Sequence, residues 1–436
     1  MRSTRRTHRS LFAALVTVVA VTACTPAPPM PVWTPTIEAW NATSGHEVER
    51  PLASTSNQWF AVVEESPTIG VGATSTNLLV YPRTGADGAP AATPSQTIPL
   101  EDNVANISMS DHIIAIRSRD YLANLDTVHL YGLDPTTHLW SESLALPRGL
   151  DTNAIVVIDV TDTALALGNI PSPMATGDGS VLVYPLTVSP TTGAISGSSV
   201  TAAALSPDPT WSASDRQGFG RVVSIEGDWL AVSGGTDHVA AYHRTAPTTW
   251  APDLVMTNPL APGSDGRFGR SLSIDASAVT PRLLVGTQGG FSTFGGSPTA
   301  GRVELLTRGP SGGWSLSQTI SPRAGSALGG FALGIEVALD HDRAVVGYYW
   351  AQVAGAGGVT LMDDYRLEVW NLTPAPVFEA ELSMLAPHGG PLAGETATAP
   401  VGVRLAGSHL SVVSWDIFGS NPSHFSALSW DRHPSS

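Results

Sequence analysis

Lysine is absent from this chain of 436 residues; all 22 basic side chains are arginine. That excludes a G-x-x-x-x-G-K phosphate loop, a Schiff-base amine and an S-x-x-K serine enzyme, each of which needs the ammonium group. Cysteine occurs once, at Cys24, so intrachain disulfides and thiolate zinc sites are excluded as well. Charged residues make up only 14% of the chain, well under the usual quarter. H-E-x-x-H does not occur; the nearest imitation, His46-Glu47-Val48-Glu49, lacks the second histidine. Long apolar runs are missing too. Leu11 to Ala23 supplies thirteen residues, where a membrane-spanning helix takes roughly 20.

That short run is framed in an informative way. Arg2, Arg5, Arg6 and Arg9 precede it and Val21-Thr22-Ala23-Cys24 closes it. A basic start, a short apolar stretch and a small-residue end describe a secretory signal. Residues 1–24 are therefore expected to direct export. The end resembles a bacterial lipobox, which implies that Cys24 is lipidated and anchors the chain to the cell membrane with the domain outside the cytoplasm. The proline-rich stretch at 25–32 reads as an extended tether. Without the four leader arginines, 18 basic groups face 37 acidic ones. Such a surface repels phosphate backbones and argues against nucleic acid as a partner.

What is abundant is glycine, proline, serine and threonine, a turn-rich β composition, and a pattern that repeats. Its clearest marker is a strand with unlike faces: Leu78 to Arg83, Val128 to Leu133, Val181 to Leu186, Val239 to Arg244, Val303 to Arg308, Leu367 to Leu372 and Ser426 to Arg432. Seven copies lie 50 to 64 residues apart. Upstream of each is an apolar pair two residues apart, such as Leu230/Val232 or Ile114/Ile116, usually preceded by a polar turn. His112, His341 and His409 fall in such turns and read as turn residues, not metal ligands. Downstream, a fourth strand is marked by an aromatic with an apolar residue four places on, as in Trp140/Leu144, Trp250/Leu254 and Phe378/Leu382. Trp314 opens the same slot. The last repeat lacks this strand, but Trp33/Ile37 reproduces its spacing near the other end of the sequence.

A ring closed by its own termini leaves no edge strand open. The fold expected over residues 33–436 is therefore all-β, a seven-bladed β-propeller of four-stranded antiparallel blades, with the N-terminal strand completing the last blade. Fourth-strand aromatics are missing from the first and third repeats, and six to eight blades are compatible with the pattern.

Phe219-Gly220, Gly227-Asp228, Leu230-Ala231-Val232 and Tyr242 together resemble an FG-GAP repeat, the blade unit of the integrin α-chain propeller and of many bacterial surface proteins. Phe268-Gly269 with Leu284-Val285-Gly286, Phe331 with Val345-Val346-Gly347, and Val71-Gly72-Ala73 match less completely. The resemblance runs from Trp33 to Arg432. It implies a binding or adhesion module, a monomer, with a protein or glycan ligand. Blades of that family often carry a calcium loop of alternating Asp and Asn. Here Asp340/Asp342 and Gly177-Asp178-Gly179 are its only fragments, and no cofactor is expected.

In a propeller the strands are scaffold and the loops recognise. The resemblance places the links between second and third strands on one face. Candidate ligand-binding residues there are Tyr348, Tyr349 and Trp350 in the sixth repeat, Arg117, Arg119 and Tyr121 in the second, Trp415, Asp416 and Phe418 in the seventh, and Phe291 and Phe294 in the fifth. Aromatics and arginine dominate interface energetics. No catalytic residues are assigned; the alternatives are a scaffold in an envelope complex and a propeller hydrolase or lyase acting on polysaccharide.

Overall fold

The computed structural model describes residues 32–40, 53–67, 74–84, 89–100, 103–120, 125–148, 155–171, 177–197, 202–235, 237–259, 267–277, 280–288, 301–321, 332–354, 358–373, 375–383, 398–416 and 425–433. The leader, Cys24 and the tether lie outside them. Among the described residues the chain is all-β apart from one short helix, and no helix is long and apolar enough to cross a membrane.

Among the described residues the strands assemble into seven four-stranded antiparallel sheets and one two-stranded ribbon. Strand β1 is Val32–Trp40. The first sheet holds β2 (Ala53–Thr55), β3 (Trp59–Pro67), β4 (Thr74–Pro82) and β5 (Gln96–Leu100). The second holds β6 (Asn103–Met109), β7 (Ile113–Asp120), β8 (Leu125–Leu133) and β9 (Trp140–Arg148). In the third, β10 (Ile155–Thr161), β11 (Ala164–Ile170) and β12 (Ser180–Pro185) are followed by a small ribbon, β13 (Thr187–Val188) and β14 (Ile195–Ser196), before β15 (Ala203–Leu205) returns to the sheet. Helix α1 (Ala213–Gln217) leads into the fourth sheet: β16 (Val223–Glu226), β17 (Trp229–Gly234), β18 (His238–Ala246) and β19 (Thr249–Thr257). The fifth is β20 (Arg267–Asp275), β21 (Arg282–Gln288), β22 (Arg302–Arg308) and β23 (Trp314–Ile320); the sixth is β24 (Ala332–Asp340), β25 (Arg343–Ala354), β26 (Gly358–Asn371) and β27 (Val377–Ser383). In the seventh, β28 (Thr398–Ala406), β29 (His409–Asp416) and β30 (Phe425–His433) are joined by β1, which runs antiparallel to β30 with Trp33 opposite Arg432 and Trp40 opposite Ser426.

The marker strands of the sequence are the third strand of each sheet, and Trp140, Trp250, Trp314 and Phe378 sit at or next to the start of the fourth. The third repeat lacks its aromatic because the ribbon interrupts the chain there, leaving a three-residue outer strand.

Each sheet packs on the next through a shared apolar cluster. Ile107, Ile116 and Trp140 of the second sheet meet Ala61, Val63 and Val80 of the first, and Leu165 and Leu167 of the third meet Ile113 and Leu130 of the second. The same holds for the third with the fourth, fourth with fifth, fifth with sixth and sixth with seventh. The first sheet, through β2, lies against β28 and β29 of the seventh. Both faces of the second strands are buried, so both bear apolar side chains in near-continuous runs, each fully buried one contributing about 1.5–3 kcal/mol.

A polar seam accompanies the apolar one. The innermost strand of a sheet has one edge without a strand neighbour, so every second N–H there needs an acceptor. At equivalent positions, opposite the centre of each second-strand apolar run, stand Ser108, Asp159, Ser224 and Ser273. The next sheet donates to each of them: Val160 N–H to Ser108 Oγ at 3.2 Å, Ile225 N–H to Asp159 Oδ2 at 2.9 Å, Ile274 N–H to Ser224 Oγ at 3.1 Å, and Leu339 N–H to Ser273 Oγ at 2.9 Å. Equivalent atoms bonding sheet to sheet put the inner strands of the second to sixth sheets in one direction. The turns between first and second strands therefore gather at one end, and the links between second and third strands at the other.

Candidate functional site

The link end holds the residues expected to recognise a ligand, but not all in loops. Arg117 is a correction. It lies within β7, not in the following loop, and is 1% exposed, with its Nη2 2.6 Å from Asp126 Oδ2 in β8. A buried guanidinium needs a carboxylate partner, and that partner already occupies it. Arg119, nearer the end of β7, is partly exposed and lies 3.7 Å from the other oxygen of the same Asp126. Tyr121, Phe291, Phe294 and Phe418 lie outside the described residues.

Tyr348, Tyr349 and Trp350 also belong to a strand. In the sixth sheet the second and third strands continue as a long antiparallel hairpin of 12 and 14 residues, joined across 355–357. Its register sets Tyr348 opposite Arg366, Tyr349 opposite Tyr365 and Trp350 opposite Asp364. Second strands elsewhere have six to nine residues. Trp415 and Asp416 are the last residues of β29, at the corresponding end of the seventh sheet. The structure thus brings Arg119, Tyr348–Trp350 and Trp415–Asp416 to the same end of their respective sheets.

The sequence reading passed over a basic feature at this end. In Phe219-Gly220-Arg221 and Phe268-Gly269-Arg270, the phenylalanines are fully buried and the glycines have φ of 88° and 73°. Positive φ suits glycine because there is no Cβ to clash, and the turn sends the next side chain away from the buried phenylalanine. Arg221 and Arg270 are both half-buried, and Arg267 is exposed. Burial and then the positive charges of Arg270 and Arg267 lower the pKa of Arg221. The signal was present in the repeat itself, whose two best copies both read F-G-R.

Near this end, before the fourth sheet, Ser212, Asp215 and His238 come together. Ser212 Oγ donates to Asp215 Oδ2 at 2.5 Å, and His238 Nδ1 is 3.3 Å from the same oxygen. The hydroxyl thus meets a carboxylate and not the imidazole, so no base is placed to activate it. The Asp215 N–H donates to Ser212 Oγ at 3.2 Å, which makes Ser212 the N-cap of α1. Trp211 stacks on His238 with ring centroids 4.5 Å apart. The group is structural.

The turn end is acidic. Glu226, Asp275 and Asp340 close the inner strands of three successive sheets. Burial first, then the charges of Asp275 and Asp340, push the Glu226 carboxyl up to about 8, against the N–H of Ala276 and against His341. His341 is raised chiefly by its hydrogen bond with Asp340. Asp275 is paired with Arg282 at 2.6 Å, and Asp340 accepts the N–H of Gly407. His112 contacts Asp162 at 2.8 Å, a turn-to-turn link between the second and third sheets. The fragments of a calcium loop are occupied as well: Asp342 by Thr373 and Arg282, Asp178 by Arg216. Among the described residues no group of three or more His, Cys, Asp or Glu side chains could hold a metal ion.

No protein-family model matches the chain, and no curated protein matches it in sequence. Solved structures do resemble it. The β-propeller domain of the Trilobed protease from Pyrococcus furiosus, described as having an open velcro topology, aligns over 92% of this chain and 96% of its own, with 7% identity and a TM-score of 0.46. Sqt1 from Chaetomium thermophilum aligns over 87% and 85%, with 11% identity and a TM-score of 0.42. The acylaminoacyl peptidase of Pyrococcus horikoshii aligns over 86% of this chain but 50% of its own length, with 9% identity and a TM-score of 0.45. At such identities no peptidase residue is carried onto this chain.

Proposed function

We propose that the chain is an exported, lipid-anchored, seven-bladed β-propeller of the FG-GAP type, closed by β1, that binds a protein or glycan at the cell envelope as a monomer without performing chemistry on it. The observation that carries this reading is the extended hairpin of the sixth sheet. β25 and β26 run on past Tyr349 and Arg366, the last residues that pair with the inner and outer strands, so their further length, Trp350 to Ala354 and Gly358 to Tyr365, is available for recognition. Tyr348, Tyr349, Trp350, Asp364, Tyr365 and Arg366 stand in register where that extension begins, and tyrosine, tryptophan and arginine are the residue types that most often dominate recognition.

A glycan array and a pull-down with the full chain would identify ligands, and the double variant Tyr349→Ala/Trp350→Ala is the direct test. Binding weakened at least tenfold with an unchanged melting temperature is the expected outcome. Undiminished binding would move the site off this hairpin. Incorporation of labelled palmitate, lost in Cys24→Ser, tests the anchor independently.

A further inference from the structure

We propose that the domain stands on the membrane with its turn end down, so that the link end and the hairpin of the sixth sheet face away from the bilayer. This orientation rests on the lipid-anchor reading and sets the side from which a ligand reaches the recognition end.

The turns of successive sheets touch at one end. The Gln58 N–H of the first sheet donates to Asp111 Oδ1 of the second at 3.2 Å, and His112 of the second contacts Asp162 of the third at 2.8 Å. Arg244, whose backbone N–H is bonded to the Asp228 carbonyl in the turn of the fourth sheet, donates through Nη2 to Thr163 Oγ1 of the third at 3.1 Å. Gly227 of the fourth lies beside Ala276 of the fifth, where a Cβ on the glycine would be 3.8 Å from that of the alanine. Arg282 of the fifth is 3.5 Å from Asp342 of the sixth, and Arg343 of the sixth donates to the Gly407 carbonyl of the seventh at 3.2 Å. A Cβ on Gly407 would in turn meet Asn57 Oδ1 of the first sheet at 3.0 Å. The first and seventh sheets thus point the same way as the other five.

The chain enters its seventh sheet at this end. His409, which follows the last turn, pairs with Asp431, and β30 comes from the link end to finish beyond that pair, at His433. Val32 faces His433, and β1 then runs away to Trp40, opposite Ser426 at the link end. Val32, where the tether joins the sheet, is therefore at the turn end.

Reach decides the orientation. Val32 is eight residues from Cys24, a stretch that spans at most about 29 Å when fully extended. β1 has nine residues, about 27 Å at the usual rise of a strand. With the link end down, Val32 would be held a full strand length above the lipid. The tether would then be used up in running straight back along the outside of the seventh sheet. With the turn end down the tether keeps its slack, and slack is conformational entropy retained. The hairpin of the sixth sheet, at the other end, is carried a strand length or more above the headgroups. Its ligand is then a macromolecule presented from beyond the membrane, not a lipid of the bilayer that holds the protein.

The test uses the full, lipidated chain added to phosphatidylcholine vesicles that carry nitroxide-labelled headgroups. Lipidation takes up the sulfur of the one native cysteine, so an introduced cysteine is the sole free thiol for a fluorophore. Thr248 and Thr257 are both exposed, one just before β19 at the turn end and the other at its last residue, at the link end. With melting temperatures like the parent's, headgroup quenching should be about threefold stronger in Thr248→Cys than in Thr257→Cys, because about 30 Å of strand separates the two. Inserting about twenty Gly/Ser residues after Met30 should bring the two toward parity, since a flexible tether of that length lets either end reach the surface. Stronger quenching of Thr257→Cys, equal quenching of both, or none of either while the chain floats with the vesicles overturns the orientation. A difference that survives the insertion overturns the tether as its cause. If the chain does not float with vesicles, and Cys24→Ser behaves like the parent, the lipid anchor falls and the orientation goes with it.

Discussion

Asp159 is the residue on which most sheets converge. Its side chain accepts from Ser108 Oγ of the second sheet at 2.7 Å and from the Ile225 N–H of the fourth, and lies 2.9 Å from Arg404 Nη2 of the seventh. Arg404 is 36% exposed, so water screens the ion pair and most of the cost of losing Asp159 is set by the two hydrogen bonds left without an acceptor. Asp159→Ala should destabilise by about 2–3 kcal/mol in urea unfolding. Asp159→Asn keeps one acceptor and should cost about half as much; equal losses in the two variants would show that hydrogen bonding is not what the position supplies. Glu226 makes a prediction of opposite sign. With its carboxyl raised to about 8 against 4.5 unfolded, the folded state holds a proton that the unfolded chain has released, so its contribution to stability is full below pH 4.5 and lost as pH rises through about 8. His341, raised by Asp340, loses its contribution in the same direction, upward from pH 6.5. Glu226→Gln removes the carboxyl from this balance. The variant's melting temperature relative to the parent should climb between pH 5 and pH 9; a flat difference would show that Glu226 ionises freely in the fold.

At the scale of elements, the third strands could be read from the sequence because one alternating run with an aromatic near its end recurs in the same sheet position. Trp140, Trp250 and Phe378 identified fourth strands for a similar reason: each fills a fixed place at the strand's start. Ser108, Asp159, Ser224 and Ser273 were also visible, as lone polar residues inside Ile-Ser-Met, Ile-Asp-Val, Val-Ser-Ile and Leu-Ser-Ile, but their partners are backbone N–H groups 50 to 66 residues away. No local pattern reveals such a partner. Arg117 was misplaced for a related reason, since an arginine near a strand end looks solvated until the strand bearing Asp126 folds beside it. The sixth hairpin read as a loop because its glycines and mixed polarity hide the alternation. The Phe-Gly turn invites a direct test. Gly220→Ala forces a Cβ onto φ of 88° and to 2.8 Å from the Ser180 carbonyl oxygen, whereas at Gly227, with φ of 55°, the nearest atom is 3.8 Å away. The left-handed backbone costs about 1–2 kcal/mol at either site. Gly220→Ala should therefore lose clearly more stability than Gly227→Ala, and parity would mean that the contact with the third sheet is soft.

For the molecule as a whole, packing makes each sheet depend on two neighbours, so a break anywhere exposes two apolar faces and an open strand edge. The joint between β1 and β30 differs from the others, because it ties segments about four hundred residues apart, which makes it the costliest single loop of the fold to close. A covalent bond there should act chiefly on the unfolded chain. Thr34 faces Asp431 across the pair. In a Cys24→Ser background, Thr34→Cys with Asp431→Cys should oxidise to a disulfide and raise unfolding stability by up to about 5 kcal/mol, the chain-entropy estimate for so long a loop. Reductant should abolish the gain. Control cysteines at Thr34 and at Asp342, in a turn of the sixth sheet, should remain unlinked. Equal cross-linking of both pairs would mean that β1 samples many partners, and the proposed closure by β1 would fall.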